Sequence, residues 1–392
     1  MPHFELESHE RFRAALLLSL AAVIGLYFRV VNFPHVGVDL HKWFIPWLQH
    51  LKSTGGFTGI ATSPADYSAA YLYLLAVGSY FNFREVYVIK SITLCFELVA
   101  AVAAFRIVER CTGLISRGAL AAAGLFLLPT VIVNGSFWGQ CDIIYSSFAL
   151  LAVDQLLAGR DNWAMACVGM AFAFKLQAIL IGPFVLLLVC SRRIALWQPL
   201  IAVAVWLLAA VPAVLLGRSF ANSIAYWGQI HEYSKITMNL PNLYEWFHPR
   251  PRFVPDLEQF ALGATVVAVI LMAALVAWRR PPVTHRRILE FAFVPAVICP
   301  YLLPKMHERY MFLADVLTAV YAFVAPSRCL LAIGMQYASS MSYRAFLFKH
   351  YGEPYERATL VLGLVAAGSV VVFLTGVFLP FDGGPDGKSS EK

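Results

Sequence analysis

Long stretches without charge constrain this chain more than any other feature. Ala14–Val31, Ile194–Leu216, Phe260–Trp278 and Ala358–Leu379 run for about 18–23 residues with almost no charged side chain. As helices, such runs cross a hydrocarbon layer of roughly 30 Å. A transmembrane barrel would instead need short segments of alternating polarity, which are absent. Of the 392 residues, 60% are hydrophobic and 14% charged, where a soluble domain carries roughly a quarter charged. The sequence therefore predicts an all-α, multi-pass membrane protein, with residues 1–392 forming a single integral membrane domain. The first apolar run follows a polar stretch, Met1–Arg13. It is too long for a signal peptide and lacks a small-residue cleavage site, so it reads as an uncleaved first helix. The seven cysteines are scattered, without a CxxC pair or His/Cys cluster. That argues against a disulfide framework or a thiolate metal site. The formal charge of +7 is the arginine excess of cytoplasmic loops and calls for no nucleic-acid partner.

The arginines also give an expected orientation. The segment 69–83 is short and tyrosine-rich, which suits an interfacial helix rather than a span. Spans are then expected at 12–31, 86–107, 118–133, 141–158, 163–180, 181–191, 194–216, 258–278, 288–303, 309–326, 328–347 and 358–379, about 11–12 in all. Arg11, Arg13, Arg106, Arg110, Arg117, Arg160, Arg192, Arg193, Arg279, Arg280, Arg286, Arg287 and Arg328 collect on one side, predicted to be cytoplasmic. The opposite side receives a first outer loop with interfacial helices (32–85), a long outer loop (217–257) and the short outer segments 134–140 and 304–309. Both termini face the cytoplasm, and 380–392 reads as a flexible tail. Short loops and the lack of an ER-retrieval signal point to a bacterial inner membrane, with any active site facing the periplasm or exterior.

The chemically loaded stretches fall on that outer side. In HVGVDLHKWFIPW, Asp39 stands among His35, His41, Val38, Leu40, Trp43 and Phe44. It is either a solvated loop carboxylate or a partly dry one suited to accepting a proton. In SPADYSAAYLYL, Asp66 suits the N-cap of the following helix. In VNGSFWGQCDIIYSS, Trp138 and Asp142 are four apart and would share a helix face. Trp138 alone reads as an interfacial anchor, whereas a carboxylate inside an apolar span costs about 2.5–3.5 kcal/mol and marks function. In AFAFKLQAILIGPF, Lys175 lies well inside an apolar run, two residues before Gln177. Its ammonium needs an anion there, whether a protein carboxylate or a ligand phosphate. In the long outer loop, Asn239 and Asn242 flank Pro241, and amides suit either sugar hydroxyls or a turn. The stretch LLPKMHERYMF places Lys305, His307, Glu308 and Arg309 between two apolar runs. If it begins a helix, His307 lies beside Tyr310, and Lys305 beside Glu308 and Arg309. Three cations at an outer helix end can bind a phosphate. Basic flanking clusters of purely structural origin belong on the other side. A serine-hydrolase elbow, a phosphate-binding Gly-rich loop, HExxH and a dinucleotide fingerprint are all missing.

Together, Asp39 after the first span, Asp66–Tyr67, WGQCD at 138–142, FKLQ at 174–177 and PKMHERYMF at 304–312 resemble the GT-C glycosyltransferases. They are most similar to prokaryotic relatives of the GPI-anchor second mannosyltransferase and of the dolichol-phosphate-glucose-dependent glucosyltransferases. The resemblance covers about 30–325. It implies a GT-C-like helical bundle and an inverting glycosyltransferase at the extracytoplasmic face, with mannose as the family's commonest sugar. The donor would be a polyprenyl-phosphate sugar, and the acceptor a lipid-linked glycan, lipid or protein. On this resemblance Asp39 is the general base, and His307 contacts the donor phosphate with Arg309, Lys175 and Lys305 as helpers. Asp66, Tyr67, Trp138, Gln140, Asp142, Gln177, Asn239, Asn242 and Glu308 are candidate substrate contacts. Tyr67 is followed by Ser68-Ala69 where the family carries two prolines. The first outer loop holds one acidic residue where the protein mannosyltransferases carry an adjacent pair, so no obligatory metal cofactor is expected. Asp39 and Asp142 are the candidate ligands otherwise. The rival reading is a transporter or flippase for a polyprenyl-linked sugar. That predicts internal repeats and functional polar residues on both faces, neither of which the sequence displays.

Overall fold

A computed structural model describes residues 2–224, 236–247 and 254–379; the expected tail at 380–392 and the centre of the long outer loop lie outside them. The fold is all-α and polytopic. The chain divides into two compact units, Met1–Ile179 with Trp197–Ser234, and Leu180–Leu196 with Lys235–Lys392.

The first unit opens with α1 (Pro2–Asn32), followed by a π-helical turn (Leu40–Phe44), α2 (Ile45–Ser53) and α3 (Ala69–Ser79). Next come α4 (Glu85–Thr112), α5 (Ile115–Phe126), and α6 (Pro129–Ile132) running into a second π-helical turn, Val133–Trp138. The helices α7 (Asp142–Leu157), α8 (Asp161–Phe174), α10 (Pro199–Leu215) and α11 (Phe220–Ile224) complete it. Between α8 and α10 the chain passes through a 3-10 turn, Leu176–Ile181, into α9 (Gly182–Cys190) of the second unit. That unit also holds β1 (Thr237–Met238), α12 (Val254–Arg279), α13 (His285–Leu302), β2 (Met306–His307), α14 (Phe312–Val324), α15 (Cys329–Phe348) and α16 (Glu353–Phe378).

Prolines set several of these boundaries. Pro46, Pro129, Pro183, Pro199 and Pro354 occupy the first turns of α2, α6, α9, α10 and α16, where a missing N–H costs nothing. Among the described residues, α1, α4, α12 and α16 are long and apolar enough to cross a membrane alone. The pair α5 and Pro129–Trp138 passes the same test of length and composition only when taken together, and it is bent by 44° at its break, the geometry of a broken span or a re-entrant loop. Two expected spans differ from straight helices. The expected 118–133 span is this bent pair, broken ahead of Pro129, and the 163–180 span stops at Phe174 because Lys175 turns extended.

Several charges inside the helices are paired. Arg29 of α1 binds Glu97 of α4 through Nε and gives its other nitrogens to the carbonyls of Gly25 and Phe126, all buried. Asp154 of α7 accepts from Arg106 and Arg110 of α4 at 3.3 and 2.9 Å. In the second unit Glu290 of α13 takes Arg286 at 2.9 Å and the Tyr321 hydroxyl of α14 at 2.8 Å. These contacts give each buried carboxylate the counter-charge that a low-dielectric interior demands.

Candidate active site

The candidate residues fall into two groups, one in each unit. In the first, the chain leaves α1 and runs to Asp39, immediately before the π-helical turn at Leu40. Asp39 is half-buried. Its Oδ2 accepts from the indole Nε1 of Trp138 at 2.9 Å and from Gln140 Nε2 at 2.5 Å. Both donors are 1% exposed. They converge on one carboxylate because Gly139 between them sits at φ +81°, in the left-handed region. A side chain there would be strained and would collide with Leu40, the neighbour of Asp39. The same glycine ends the π-helical turn before α7 starts at Asp142. Trp138 and Asp142 therefore do not share one helix face, as their spacing had suggested, and Trp138 is a buried donor rather than an exposed interfacial anchor.

Asp142 opens α7, where a carboxylate complements the helix dipole. Its Oδ1 takes Lys175 Nζ at 2.6 Å and its Oδ2 takes Asn134 Nδ2 at 2.9 Å. The anion required by Lys175 is thus a protein carboxylate. The Asn134 carbonyl accepts from the Gln140 backbone N–H at 2.9 Å, linking this pair to the Asp39 donors. Lys175 also stands 5.9 Å from the Tyr67 ring, which packs on Phe44, Trp47 and Tyr71. Gln177 follows in the 3-10 turn with its Oε1 buried and without a hydrogen-bond partner. Asp66 is exposed, and the cap position of α3 belongs to Ser68 instead. The Ser68 hydroxyl bonds the Ala173 carbonyl at 2.5 Å rather than its own helix.

Two residues central to this arrangement escaped the sequence reading. Lys90 of α4, 1% exposed, donates to the carbonyls of Asn32 at 3.0 Å, Phe33 at 3.2 Å, His35 at 2.7 Å and Phe137 at 3.4 Å. It clamps the approach to Asp39 against the approach to Trp138. His35 adds a second tie, stacking on Phe137 at 3.9 Å and bonding its carbonyl through Nδ1 at 3.0 Å. Arg218, 3% exposed, donates to the carbonyls of Ile60, Ser63 and Ala65 and so pins the loop leading to Asp66. Burial pushes its guanidinium below its ordinary value, although an arginine stays charged. A lone lysine in the 86–107 apolar run was the available signal, by the cost argument applied to Lys175.

In the second unit the stretch at 304–311 is not helical. β2 pairs in parallel with β1, matching Thr237 with Met306 and Met238 with His307. Lys305 N–H donates to Ile236 and Glu308 N–H to Met238, at 2.7 and 3.1 Å. Lys305 and Asn239 both adopt positive φ, +59° and +67°, a conformation that Asn tolerates and Lys resists. The Lys305 ammonium reaches Glu258 at 2.8 Å rather than Glu308. Glu308 is fully buried between His307 Nδ1, at 3.7 Å, and Arg309 Nη1, at 3.4 Å. His307 keeps its expected neighbour Tyr310, with ring centroids 5.1 Å apart. The side chains of Lys305, His307 and Arg309 are 24%, 12% and 17% exposed, open enough to meet a ligand although each has a carboxylate nearby.

Asn242 is fully buried and structural in its contacts. It caps the turn at Leu243–Trp246 through Tyr244 N–H and donates to the Leu303 carbonyl at 3.0 Å. Tyr244 donates to the Leu302 carbonyl at 2.6 Å, and burial pushes its hydroxyl up to about 12, so it stays a neutral donor. Asn239 accepts from Tyr351 at 2.9 Å, and its carbonyl takes the Ser342 hydroxyl at 2.6 Å.

No protein-family model matches the chain, and no curated protein matches its sequence. Among solved structures it is similar to ArnT from Cupriavidus metallidurans, solved bound to undecaprenyl phosphate. The TM-score is 0.58 over 92% of this chain and 70% of that one, at 14% identity. The likeness is one of fold.

Proposed function

We propose that the protein is an inverting GT-C-type glycosyltransferase that moves a sugar from a polyprenyl monophosphate to a hydroxyl acceptor at the extracytoplasmic face of its membrane. The observation that carries this reading is the shared fold with ArnT, whose structure holds undecaprenyl phosphate. Mannose and a lipid-linked glycan, lipid or protein acceptor are the finer proposals, resting on the motif resemblance.

Asp39 accepts the proton of the acceptor hydroxyl as that oxygen attacks the anomeric carbon from the face opposite the phosphate. The C–O bond to the phosphate breaks and polyprenyl phosphate leaves with the electron pair. His307 and Arg309, with Lys305, stabilise the charge that develops on the departing phosphate, and Glu308 holds the first two between its oxygens. Lys175 serves the first unit through its pair with Asp142. No obligatory metal is part of this proposal. Both oxygens of Asp142 already receive N–H donors, and Asp39 receives two more, a donor set that suits carboxylates held without a cation.

The test is incubation of the purified protein with a panel of radiolabelled polyprenyl-phosphate sugars and a membrane lipid extract. Donor turnover is expected and should persist in EDTA. Failure to turn over any donor would overturn the reading. Asp39→Asn should abolish transfer while donor binding survives; near-normal transfer by that variant would remove Asp39 as base. His307→Ala should weaken donor binding, and unchanged affinity would count against a phosphate contact.

A further inference from the structure

We infer that Trp138 and Gln140 are positioning residues for Asp39 rather than contacts for the sugar. The inference rests on Asp39 acting as the base. Both side chains are about as buried as a core residue, and both direct an N–H at the same atom, Asp39 Oδ2. Two donors on one oxygen fix the plane of the carboxylate.

The surrounding chain is built to hold those donors. Gly139 places them on either side of a left-handed residue and packs directly on Leu40. Gln140 is pinned at both ends of its peptide, its N–H to the Asn134 carbonyl and its carbonyl to the Thr93 hydroxyl at 3.3 Å. Lys90 fixes the carbonyl of Phe137, one residue before Trp138, and those of Asn32, Phe33 and His35 on the way to Asp39. One ammonium thus ties the two segments together. A carboxylate so held loses little orientational freedom when the acceptor arrives, and general-base catalysis depends on that geometry.

The deciding experiment compares Trp138→Phe and Gln140→Met with the unaltered protein and with Asp39→Asn. Each substitution removes the N–H donor to Asp39 Oδ2 and leaves an apolar side chain in its place. Steady-state transfer is measured against donor concentration, and rates are normalised to donor bound per mole of protein, so that misfolded material drops out. Each substitution should lower kcat roughly 10- to 100-fold, the loss of one hydrogen bond to a charged group, with KM for the donor changed by less than about threefold. A raised KM with unchanged kcat would make the two side chains substrate contacts and overturn the inference. Inactive Asp39→Asn beside wild-type kcat in both substitutions overturns the positioning role alone. Near-normal transfer by Asp39→Asn overturns the base assignment and this inference with it. If Trp138→Phe fails to fold, Gln140→Met decides the matter.

Discussion

Single side chains carry much of the first unit. Lys90 places an ammonium among four carbonyls and no carboxylate among its hydrogen-bond partners. Lys90→Met keeps the volume but removes the ammonium that those four carbonyls share. It should cost roughly 3 kcal/mol or more, seen as a lower unfolding midpoint in detergent. Gly139→Ala combines a left-handed β-carbon with a collision at Leu40. A loss of about 2–4 kcal/mol is expected, and transfer should fall further than stability, since Leu40 adjoins Asp39. Sequence alone singled out Asp39, Asp142 and Lys175, because charge in an apolar setting is expensive. It did not pair them. The Asp142–Lys175 contact joins the first residue of α7 to the extended residue that follows α8, and no local spacing encodes it. Trp138 was misplaced because an i, i+4 rule presumes a continuous helix, and Gly139 interrupts it.

At the level of elements, α1, α4, α12 and α16 were readable from hydropathy as helices long and apolar enough to cross a membrane, and helix bounds follow prolines and left-handed glycines such as Gly113 after α4. What hydropathy missed is where helices break. The Pro129 bend and the stop at Lys175 both bring polar groups to an end of a helix, where free backbone groups and side chains can be used. The stretch at Lys305–Arg309 failed as a helix because its backbone hydrogen bonds go to β1, a partner remote in sequence. The contact between α1 and α4 offers a quantitative test. Arg29→Met leaves Glu97 buried and unpaired and should cost about 3–5 kcal/mol. The double variant Arg29→Met with Glu97→Gln should regain most of that loss. A double-mutant cycle on thermal unfolding reads the coupling, and additive losses would refute the pairing.

For the molecule as a whole, the arginine distribution predicts which loops share a side. Single cysteines at Phe81 and His350, in a cysteine-free background, should react with an impermeant maleimide from outside intact cells. Cysteines at Gly113 and Pro282 should react only after the membrane is opened. Labelling of all four from outside would refute the orientation. The division into two units adds a different kind of consequence. β1 pairs with β2, and the side chains of Asn242 and Tyr244 donate to the Leu303 and Leu302 carbonyls at the end of α13. In chain order, the segment Thr237–Tyr244 precedes these partners by two helices, α12 and α13. The cation-bearing stretch is in this sense completed from its own downstream end. A chain truncated after α12 would hold Asp39 and its donors, yet lack the template on which the earlier segment sets.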